Sequence, residues 1–585
     1  MKQPPVNKSA VFIRLWKFLA NHRVALIFLF AAMIISNLLE LAIPLLSGHA
    51  VDAIGTVKGG VDFSTVFYNC TLMAMCFVVS SILSYLLSVN LIRLSQEVSC
   101  DLRRAVFQKL VDLPVKYFDT HPAGDLISRI CYDIDTVNAS LSTDLIQVCT
   151  SFITVIGSFA MLLIISPLLA GVFLITVPIS TLFSRKQIRR VHPLFRLRSE
   201  RLGKLNGFTE ESISGQKTVR AYGREEAMIS RFSSRNTDAV EAYYRADYES
   251  CILGPSVNFI NNLSLSFVSV FGALLYLMGR LTLGSVSSFV LYSRKFSGPI
   301  REAANIISEI QAAVAAAERV FRLIDETPEL PDKEEAVGLE SASGDVQLQD
   351  VAFGYTQDRA ILTDLTLDVK SGSLIAIVGP TGAGKTTIVN LLMRFYDVSC
   401  GKILVDGKDI RDVVRKQLRL SYAMVLQDTW LFHGTIHDNI AYGSEGATRE
   451  QVIQAAKAAK IHNFILSLPD GYDTIVSDGG VNISKGQKQL LTIARAMLID
   501  ANMLILDEAT SNVDTSTEIE INDAMQKLMK GKTCFVIAHR LSTIERADLI
   551  LVVEHGNIAE KGTHTELMRM GGLYASLYAS QFEIH

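Results

Sequence analysis

Residues 145–184 form a stretch without a single charged side chain, which a water-soluble fold can hardly accommodate. A helix that spans a bilayer needs roughly 20 apolar residues, so this stretch is long enough for two crossings joined by a tight turn at Ser166-Pro167. Similar stretches lie on both sides of it. We predict an α-helical membrane domain over residues 1–324, with six spans at about 24–46, 64–92, 142–165, 167–186, 250–279 and 281–303. The last span is the weakest, because its uncharged run ends at Arg294.

The connections 93–143 and 185–249 are polar and basic but keep helical periodicity, for example at Leu102, Val106 and Leu110. We predict that they are long cytosolic extensions of the membrane helices. Disordered basic loops are the alternative.

The second half of the chain has the pattern of a soluble domain. An acidic linker is predicted at 325–345, with eight acidic residues against one lysine. Alternating apolar residues from Val346 to Phe353 predict an amphipathic strand. Apolar runs that predict buried strands recur at Leu374–Val378, Met503–Leu506, Cys534–Ile537 and Leu549–Val553. Strands separated by helical segments predict an α/β domain with a mainly parallel sheet over residues 346–585.

The stretch GPTGAGKTT follows one of these buried strands and precedes a helical run. A strand, a glycine-rich turn and a helix are the context of a phosphate-binding P-loop, whose glycines let backbone N–H groups point at the phosphates. The helix start adds a positive dipole end. The stretch therefore predicts an ATP-type triphosphate site, with Lys385 on the phosphates and the Thr386 hydroxyl on Mg²⁺. Its residues are Gly379, Pro380, Thr381, Gly382, Ala383, Gly384, Lys385, Thr386 and Thr387.

A buried strand ends in two adjacent carboxylates, Asp507 and Glu508. In a P-loop protein, one carboxylate holds the Mg²⁺ shell, and a second can polarise the attacking water as a general base. We assign these roles to Asp507 and Glu508 respectively.

A second anion site is predicted where small polar residues precede a helical run at 490–497. Its residues are Ser484, Lys485, Gly486 and Gln487. Because the P-loop already supplies the groups for this chain's own nucleotide, the economical interpretation is that these residues face ATP bound to a second subunit.

In their order along the chain, these motifs resemble those of ATP-binding cassette (ABC) half-transporters of the exporter type, and the resemblance covers essentially the full length. GPTGAGKTT matches the Walker A motif, ISKGQ the signature motif, and LILDE Walker B. Four further matches are Tyr355 in VAFGY, Gln427 in MVLQD, Asp514 in SNVD, and His539 in VIAHR.

The resemblance implies roles for these residues. Tyr355 would stack on adenine, Gln427 would touch Mg²⁺ and the interface with the membrane domain, Asp514 would belong to the D-loop, and His539 would contact the γ-phosphate. With Lys385 and Glu508, Gln427 and His539 form the predicted catalytic set; Thr386, Gln427 and Asp507 form the predicted metal set. Residues 117–119, 124–126 and 215–225 resemble the connections that carry short coupling helices.

One position departs from the family pattern. The usual signature is LSGGQ, and this chain has Lys485 where the first glycine of that pair stands. Heteromeric members often combine one chain that has an intact Walker B glutamate and an altered signature with a partner lacking the glutamate. A heterodimer with a second half-transporter is therefore favoured over a homodimer.

The expected activity is ATP-driven efflux of small hydrophobic or amphipathic compounds, drugs or lipids, by alternating access. An ATP-gated channel and a non-transporting regulatory or sensor subunit are the alternatives. Polar residues within the spans should face the bundle interior. Among them, Glu40 would attract cationic substrates unless Arg294 pairs with it. The set is Asn37, Glu40, Asn69, Asn258, Asn261, Asn262 and Arg294.

Composition and orientation add further expectations. The net charge of −3 gives no indication of nucleic-acid binding, and the scattered eight cysteines predict buried, reduced thiols. A P-loop domain needs cytosolic ATP, and basic residues before residue 24 place the N-terminus on the same side. Both ends inside require an even number of spans. The chain length and lack of a transit peptide favour a multi-pass protein of a bacterial plasma membrane.

Overall fold

The computed structural model describes residues 8–20, 22–55, 61–339, 342–356, 359–426, 429–476, 483–499, 501–507, 515–538 and 541–582. They belong to two compact units. The helical unit combines Met1–Val111 with Ala123–Glu326, and the α/β unit combines Asp112–Pro122 with Thr327–His585. The pairing of a helical membrane domain with an α/β domain agrees with the predicted fold class.

The helical unit is built from long helices joined by short ones. They are α1 (Lys8–Ala20), α2 (Arg23–Gly55), α3 (Phe63–Asp112), α5 (Ala123–Ser128), α6 (Ile134–Ala139), α7 (Leu145–Ile165), α8 (Pro167–Ser214), α9 (Gln216–Ala221), α10 (Glu225–Cys251), α11 (Leu253–Leu277) and α12 (Leu283–Asp325). Two π-helical turns, Arg129–Asp133 and Ser140–Asp144, join α5 to α6 and α6 to α7.

Among the described residues, five helical stretches are long and apolar enough to cross a membrane. They are Arg23–Ile54, Phe63–Asp112, Ala123–Ile165, Pro167–Ser214 and Glu225–Leu277. Each contains one predicted span, and α3 and α8 continue far beyond it as helix. The sixth predicted span lies in α12, whose apolar run is interrupted by Arg294 and Lys295, so its membrane crossing stays a prediction.

The predicted turn between α7 and α8 is present. Ser166 has an extended backbone, and its hydroxyl accepts a hydrogen bond from the Leu169 N–H as the N-cap of α8. Pro167 occupies the first helical position, where its missing N–H costs nothing. The two membrane helices can therefore reverse direction within a single residue.

Helices α2 and α12 pack closely along one face of the helical unit. The Tyr292 hydroxyl donates to the Leu41 carbonyl, and the Ser288 hydroxyl donates to the Pro44 carbonyl at 2.8 Å. At the end of the contact, Asp52 accepts hydrogen bonds from the Gly284 N–H and the Thr282 hydroxyl, both at 2.7 Å. These bonds fix α12 against α2 through backbone groups as well as through apolar packing.

The intramembrane polar residues divide into two groups. Asn37 and Asn69 are buried and bond to helix carbonyls one turn earlier, at Met33 and Thr65. They therefore act as helix-packing residues. Asn258, Asn261, Asn262 and Arg294 instead line a cavity.

The α/β unit contains a six-stranded sheet in the order β12-β11-β3-β10-β9-β6, in which only β12 is antiparallel to its neighbour. A four-stranded antiparallel sheet, β2-β1-β4-β5, and a β7-β8 pair complete it. The strands are β1 (Val346–Phe353), β2 (Leu362–Val369), β3 (Leu374–Val378), β4 (Cys400–Val405), β5 (Lys408–Asp409), β6 (Tyr422–Val425), β7 (Gly434–Thr435), β8 (Ile475–Val476), β9 (Met503–Asp507), β10 (Thr533–Ile537), β11 (Leu549–Glu554) and β12 (Asn557–Gly562).

Helices cover both faces of the larger sheet. They are α13 (Lys385–Leu392), α14 (Arg415–Leu420), α15 (Ile436–Ala441), α16 (Arg449–Ala458), α17 (His462–Ser467), α18 (Lys485–Leu498), α19 (Thr515–Met529), α20 (Leu541–Glu545), α21 (His564–Met570) and α22 (Leu573–Phe582). A further short helix, α4 (Val115–Thr120), comes from the segment 112–122. The predicted amphipathic strand and the four predicted buried strands all appear, within one residue at each end.

The described part of the predicted linker, residues 327–339 and 342–345, has no regular helix or strand, and it is held against the α/β unit by charge. Glu329 accepts a hydrogen bond from the Arg419 guanidinium at 2.6 Å, and its backbone N–H bonds to the Asp112 carbonyl at 2.8 Å. The acidic composition that marked the segment as a linker therefore serves to attach it.

The prediction that the cysteines are buried is wrong for all but Cys534. Cys70, Cys100, Cys131, Cys251 and Cys400 are exposed in the chain, and Cys76 and Cys149 are half-buried. Most lie on membrane-type helices, where an outward face meets lipid or protein rather than water, so a small apolar thiol needs no internal core. All eight are free thiols, as predicted.

Candidate nucleotide-binding site

The larger sheet brings the predicted nucleotide residues to one edge. Strands β3 and β9 flank β10 in parallel, with Ile537 opposite both Ile377 and Asp507. The carboxyl ends of adjacent parallel strands meet at the same edge, which is where ligands bind in open α/β sheets. The P-loop after β3 and the carboxylate ending β9 therefore face one site.

The P-loop needs glycine for two separate reasons. Gly379, Gly382 and Gly384 have φ values of 150°, 82° and 108°, in the region that side chains with a Cβ rarely adopt. At Gly379 a Cβ would also lie 2.2 Å from the Val553 carbonyl oxygen. The loop is thus a close backbone turn that leads directly into α13, the arrangement that cradles a phosphate chain.

Lys385 stands at the first position of α13 with its ammonium group folded over the loop. Its Nζ donates to the carbonyls of Gly379 at 2.7 Å and Pro380 at 3.0 Å. Burial lowers the pKa of Lys385, and the negative charge of Asp507 acts in the opposite direction. The parallel pairing of β3 and β9 with β10 likewise places the cation after β3 and the carboxylate of β9 at one edge of the sheet.

The two threonines after Lys385 point in different directions. Thr386 is exposed, whereas Thr387 is buried and its hydroxyl lies 3.2 Å from the Tyr355 hydroxyl. Thr386 therefore has a hydroxyl free to face a ligand, and Thr387 supports the loop from inside. The exposed Thr386 hydroxyl and the half-buried Asp507 carboxylate are oxygen groups of the kind that Mg²⁺ prefers as ligands.

Tyr355 is positioned by an aromatic cluster that sequence reasoning missed. Its ring packs edge-on against Phe353 and Tyr396, each at 5.0 Å between centroids. The Tyr396 hydroxyl in turn donates a hydrogen bond to Asp119 of α4. Burial and the Asp119 carboxylate both raise the pKa of Tyr396. Two side-chain contacts therefore connect Tyr355 to the short helix that resembles a coupling helix.

The second resembling segment forms α9, another six-residue helix, which buries none of its residues in this chain. The predicted short helices are thus both present. α4 belongs to the α/β unit, and none of the α9 side chains is buried in this chain.

The start of α18 has an N-terminal capping box. The Gln487 N–H donates to the Ser484 hydroxyl at 3.2 Å, and the Ser484 N–H donates to the Gln487 side-chain oxygen at 2.9 Å. Both predicted side chains are thus engaged in the cap, Gly486 is buried, and Lys485 is exposed. A cation at a helix N-terminus opposes the dipole by about 0.3–1 kcal/mol, so Lys485 is not explained by helix stability.

Four of the predicted residues, Gln427, Glu508, Asp514 and His539, lie outside the described residues. The residues that precede three of them, Leu426, Asp507 and Ala538, do belong to the described part. They stand at or just beyond the carboxyl ends of β6, β9 and β10, the three neighbouring strands at the sheet edge. Their roles remain predictions.

Comparison with known proteins matches both units. Residues 26–300 match the family described as ABC transporter transmembrane region, and residues 362–511 match the family described as ABC transporter.

Relatives match over nearly their full length. The fatty acid ABC transporter ATP-binding/permease protein of Mycobacterium tuberculosis (strain CDC 1551 / Oshkosh) is 44% identical over 88% of this chain and 81% of its own. A putative multidrug export ATP-binding/permease protein of Bacillus subtilis (strain 168) is 36% identical over 93% and 94%.

Among solved structures, a bacterial Atm1-family ABC exporter with ATP bound is similar, with a TM-score of 0.79 and 31% identity over 96% of this chain and 99% of that one. The chain therefore belongs to the ABC transporter family, as a membrane-embedded half-transporter of the exporter type that couples ATP hydrolysis to transport.

Proposed function

We propose that this chain exports lipids or other small amphipathic compounds across a bacterial plasma membrane, with its N-terminus and α/β unit in the cytosol. The names of the relatives point to fatty acids and drugs as substrate classes. The relationship to exporters and the apolar helices support a membrane path rather than a soluble activity.

One observation supports the catalytic part of the proposal, namely that the P-loop after β3 and the carboxylate that ends β9 lie at the same edge of the sheet. Lys385 would neutralise charge on the β- and γ-phosphates, and Tyr355 would stack on the base. Thr386, Asp507 and Gln427 would hold Mg²⁺, which would offset phosphate charge. Glu508 would orient and deprotonate the attacking water, and His539 would hold the γ-phosphate in line.

The exposed start of α18 supports a nucleotide shared between subunits. Its N–H groups and Lys485 would meet the triphosphate held by the other subunit, and the partner's equivalent segment would meet the nucleotide on this P-loop. An anion there would turn the unfavourable Lys485–dipole interaction into a favourable one. Closing the two nucleotide sites between the subunits would bring the coupling helices together and open the membrane cavity to the outside.

The decisive test of the catalytic assignment is Glu508→Gln. Loss of the base should lower steady-state ATP hydrolysis by at least about 100-fold, within the range of general-base catalysis, while ATP binding is retained. Glu545→Gln, on α20, serves as a control that makes the same change of charge at an exposed position outside the proposed site. Hydrolysis by Glu508→Gln within a few-fold of wild type would refute the assignment.

We further propose that the physiological partner is a different half-transporter. This chain combines an intact Walker B glutamate, Glu508, with a signature altered at Lys485, the pattern that favours a heterodimer. In that heterodimer, the site built from this chain's P-loop and the partner's signature would be the competent one. Lys485→Gly should then accelerate hydrolysis at the weaker site alone. A purified homodimer of this chain with ligand-stimulated transport equal to that of the paired complex would contradict the proposal.

A further inference from the structure

The helical unit has an open cavity of about 230 Å³ between α8, α11 and α12. Its polar wall has two halves. Asn258, Asn261 and Asn262 share one face of α11 because they are three and four residues apart. Ser293, Arg294 and Ser297 share one face of α12 in the same way. Polar groups of this density within predicted membrane spans are costly in lipid and mark a substrate path.

The charge of this cavity is set by Arg294. Among the described residues that line it, none is acidic. Glu40 is the acidic residue for which a cationic substrate was expected, but it lies elsewhere. It is 3.5 Å from the Lys295 ammonium, and the Ser80 hydroxyl is 3.4 Å from its other oxygen. The expectation that Arg294 might pair with Glu40 is therefore wrong, because successive residues of a helix point about 100° apart and Lys295 takes that position.

The separation of the two bases has a consequence for the ligand. Lys295 neutralises Glu40, and Arg294 is exposed and forms no ion pair with any residue that the structure describes. The cavity thus presents one guanidinium without an acidic partner among the described residues, next to the side-chain amides of Asn261 and Asn262. A guanidinium fork matches two oxygens of a carboxylate or phosphate, and such charge-assisted bonds are the strong ones.

An apolar stripe runs beside the polar wall. Phe259, Leu263 and Phe267 recur every four residues on α11, and all three are exposed in this chain. Phe173 and Leu265 add apolar surface to the cavity itself. A ligand that fills both surfaces carries an anionic head and a hydrocarbon tail.

We propose that this cavity binds the oxyanion headgroup of an acyl-chain amphiphile, and that Arg294 selects for negative charge. The inference rests on the proposed export function and specifies its substrate class. Carboxylate and phosphate headgroups share the required chemistry, and the experiment distinguishes them.

The test measures ATP hydrolysis by the complete transporter in lipid nanodiscs against four amphiphiles of equal chain length. Dodecanoate and dodecyl phosphate carry oxyanions, dodecanol is neutral, and dodecyltrimethylammonium is cationic. We expect at least one of the two anions to give half-maximal stimulation at a lower concentration than dodecanol or dodecyltrimethylammonium does. The anion with the lower half-stimulating concentration identifies the preferred headgroup.

Single substitutions that change one charge make the test specific for Arg294. Arg294→Gln should raise the half-stimulating concentration of the preferred anion about ten- to a hundred-fold, the range expected for losing a charged hydrogen bond, and leave that of dodecanol unchanged. Arg294→Lys should restore most of the response. Arg280→Gln removes an exposed positive charge from the α11–α12 connection, away from the cavity, and should behave as wild type.

Two results would overturn the inference. Equal or better stimulation of wild type by dodecanol or dodecyltrimethylammonium would refute anion selection but leave the export function standing. An unchanged response of Arg294→Gln to both anions would refute the role of Arg294. Absence of stimulation with all four compounds would contradict the proposed function itself.

Discussion

Gly284, at the second position of α12, allows the closest backbone approach in the helical unit. A Cβ at this position would lie 2.0 Å from the Gly48 carbonyl oxygen and 2.6 Å from the Asp52 carboxylate. Neither contact involves the flexible end of a long side chain. Gly284→Ala therefore forces α2 and α12 apart rather than displacing a side chain.

The cost has two parts. Overpacking of a close contact costs about 1–3 kcal/mol. Moving α12 away also weakens the 2.7 Å bond between the Gly284 N–H and Asp52, and a hydrogen bond to a charged group is worth about 1.5–3 kcal/mol. Together the change should destabilise the protein by about 2–5 kcal/mol, which corresponds to a decrease in Tm of roughly 3–8 °C for a unit of roughly 300 residues.

The measurement is the apparent Tm of the purified protein in detergent at a fixed heating rate. Gly207→Ala is the matched control, because Gly207 lies within helix α8 and an added Cβ there meets nothing within 4 Å. Alanine should stabilise that helix by about 0.5–1 kcal/mol. An apparent Tm of Gly284→Ala equal to that of Gly207→Ala would refute the close packing of α2 on α12.

Three further predictions concern the α/β unit. Tyr396→Phe removes the hydroxyl that bonds Asp119 but keeps the aromatic packing, so ATP affinity should stay within about twofold while ligand stimulation of hydrolysis falls. Tyr355→Leu should instead weaken ATP binding. ATP titrations in which Tyr396→Phe loses affinity and Tyr355→Leu retains it would contradict both. Gly379→Ala should abolish ATP binding, because its Cβ meets the Val553 carbonyl and its φ is disfavoured, whereas Gly531→Ala, also at positive φ but in open space, should retain it. Burial raises the pKa of Asp406, but hydrogen bonds from Ser343, Gly344 and Asp345 outweigh it and hold that pKa below its ordinary value of 3.8; the stabilisation is present above this value and lost as the pH falls through the folded-state pKa. Asp406→Asn should therefore lower stability by about 1 kcal/mol at neutral pH, with the difference in Tm from wild type shrinking below about pH 4, and a difference independent of pH would contradict this.

Much of the fold could be predicted because its signals are local. Strand β3 is a continuous apolar run followed by glycines, so its bounds were predicted exactly as they stand at Leu374–Val378. The turn at Ser166-Pro167 combines an N-cap residue with proline at the first helical position. Both features follow from the chemistry of neighbouring residues.

The remaining features depend on groups far apart in the chain. The hydrogen bond between Tyr396 and Asp119 links residues 277 positions apart in the sequence, and nothing in the sequence around either residue indicates the other as its partner. The choice of Lys295 over Arg294 as the partner of Glu40 depends on the rotation of α12 about its axis. The π-helical turns between α5 and α7 also lack a sequence signal, because they reflect packing against α12 rather than local propensity.

The central claim is that ATP hydrolysis needs a nucleotide site completed by a second subunit. It is tested most directly by reconstituting single chains and paired subunits in separate nanodiscs and measuring both ATP binding and hydrolysis per chain. We expect single chains to bind ATP without appreciable turnover and paired subunits to hydrolyse it. Equal hydrolysis per chain in the two preparations would contradict it.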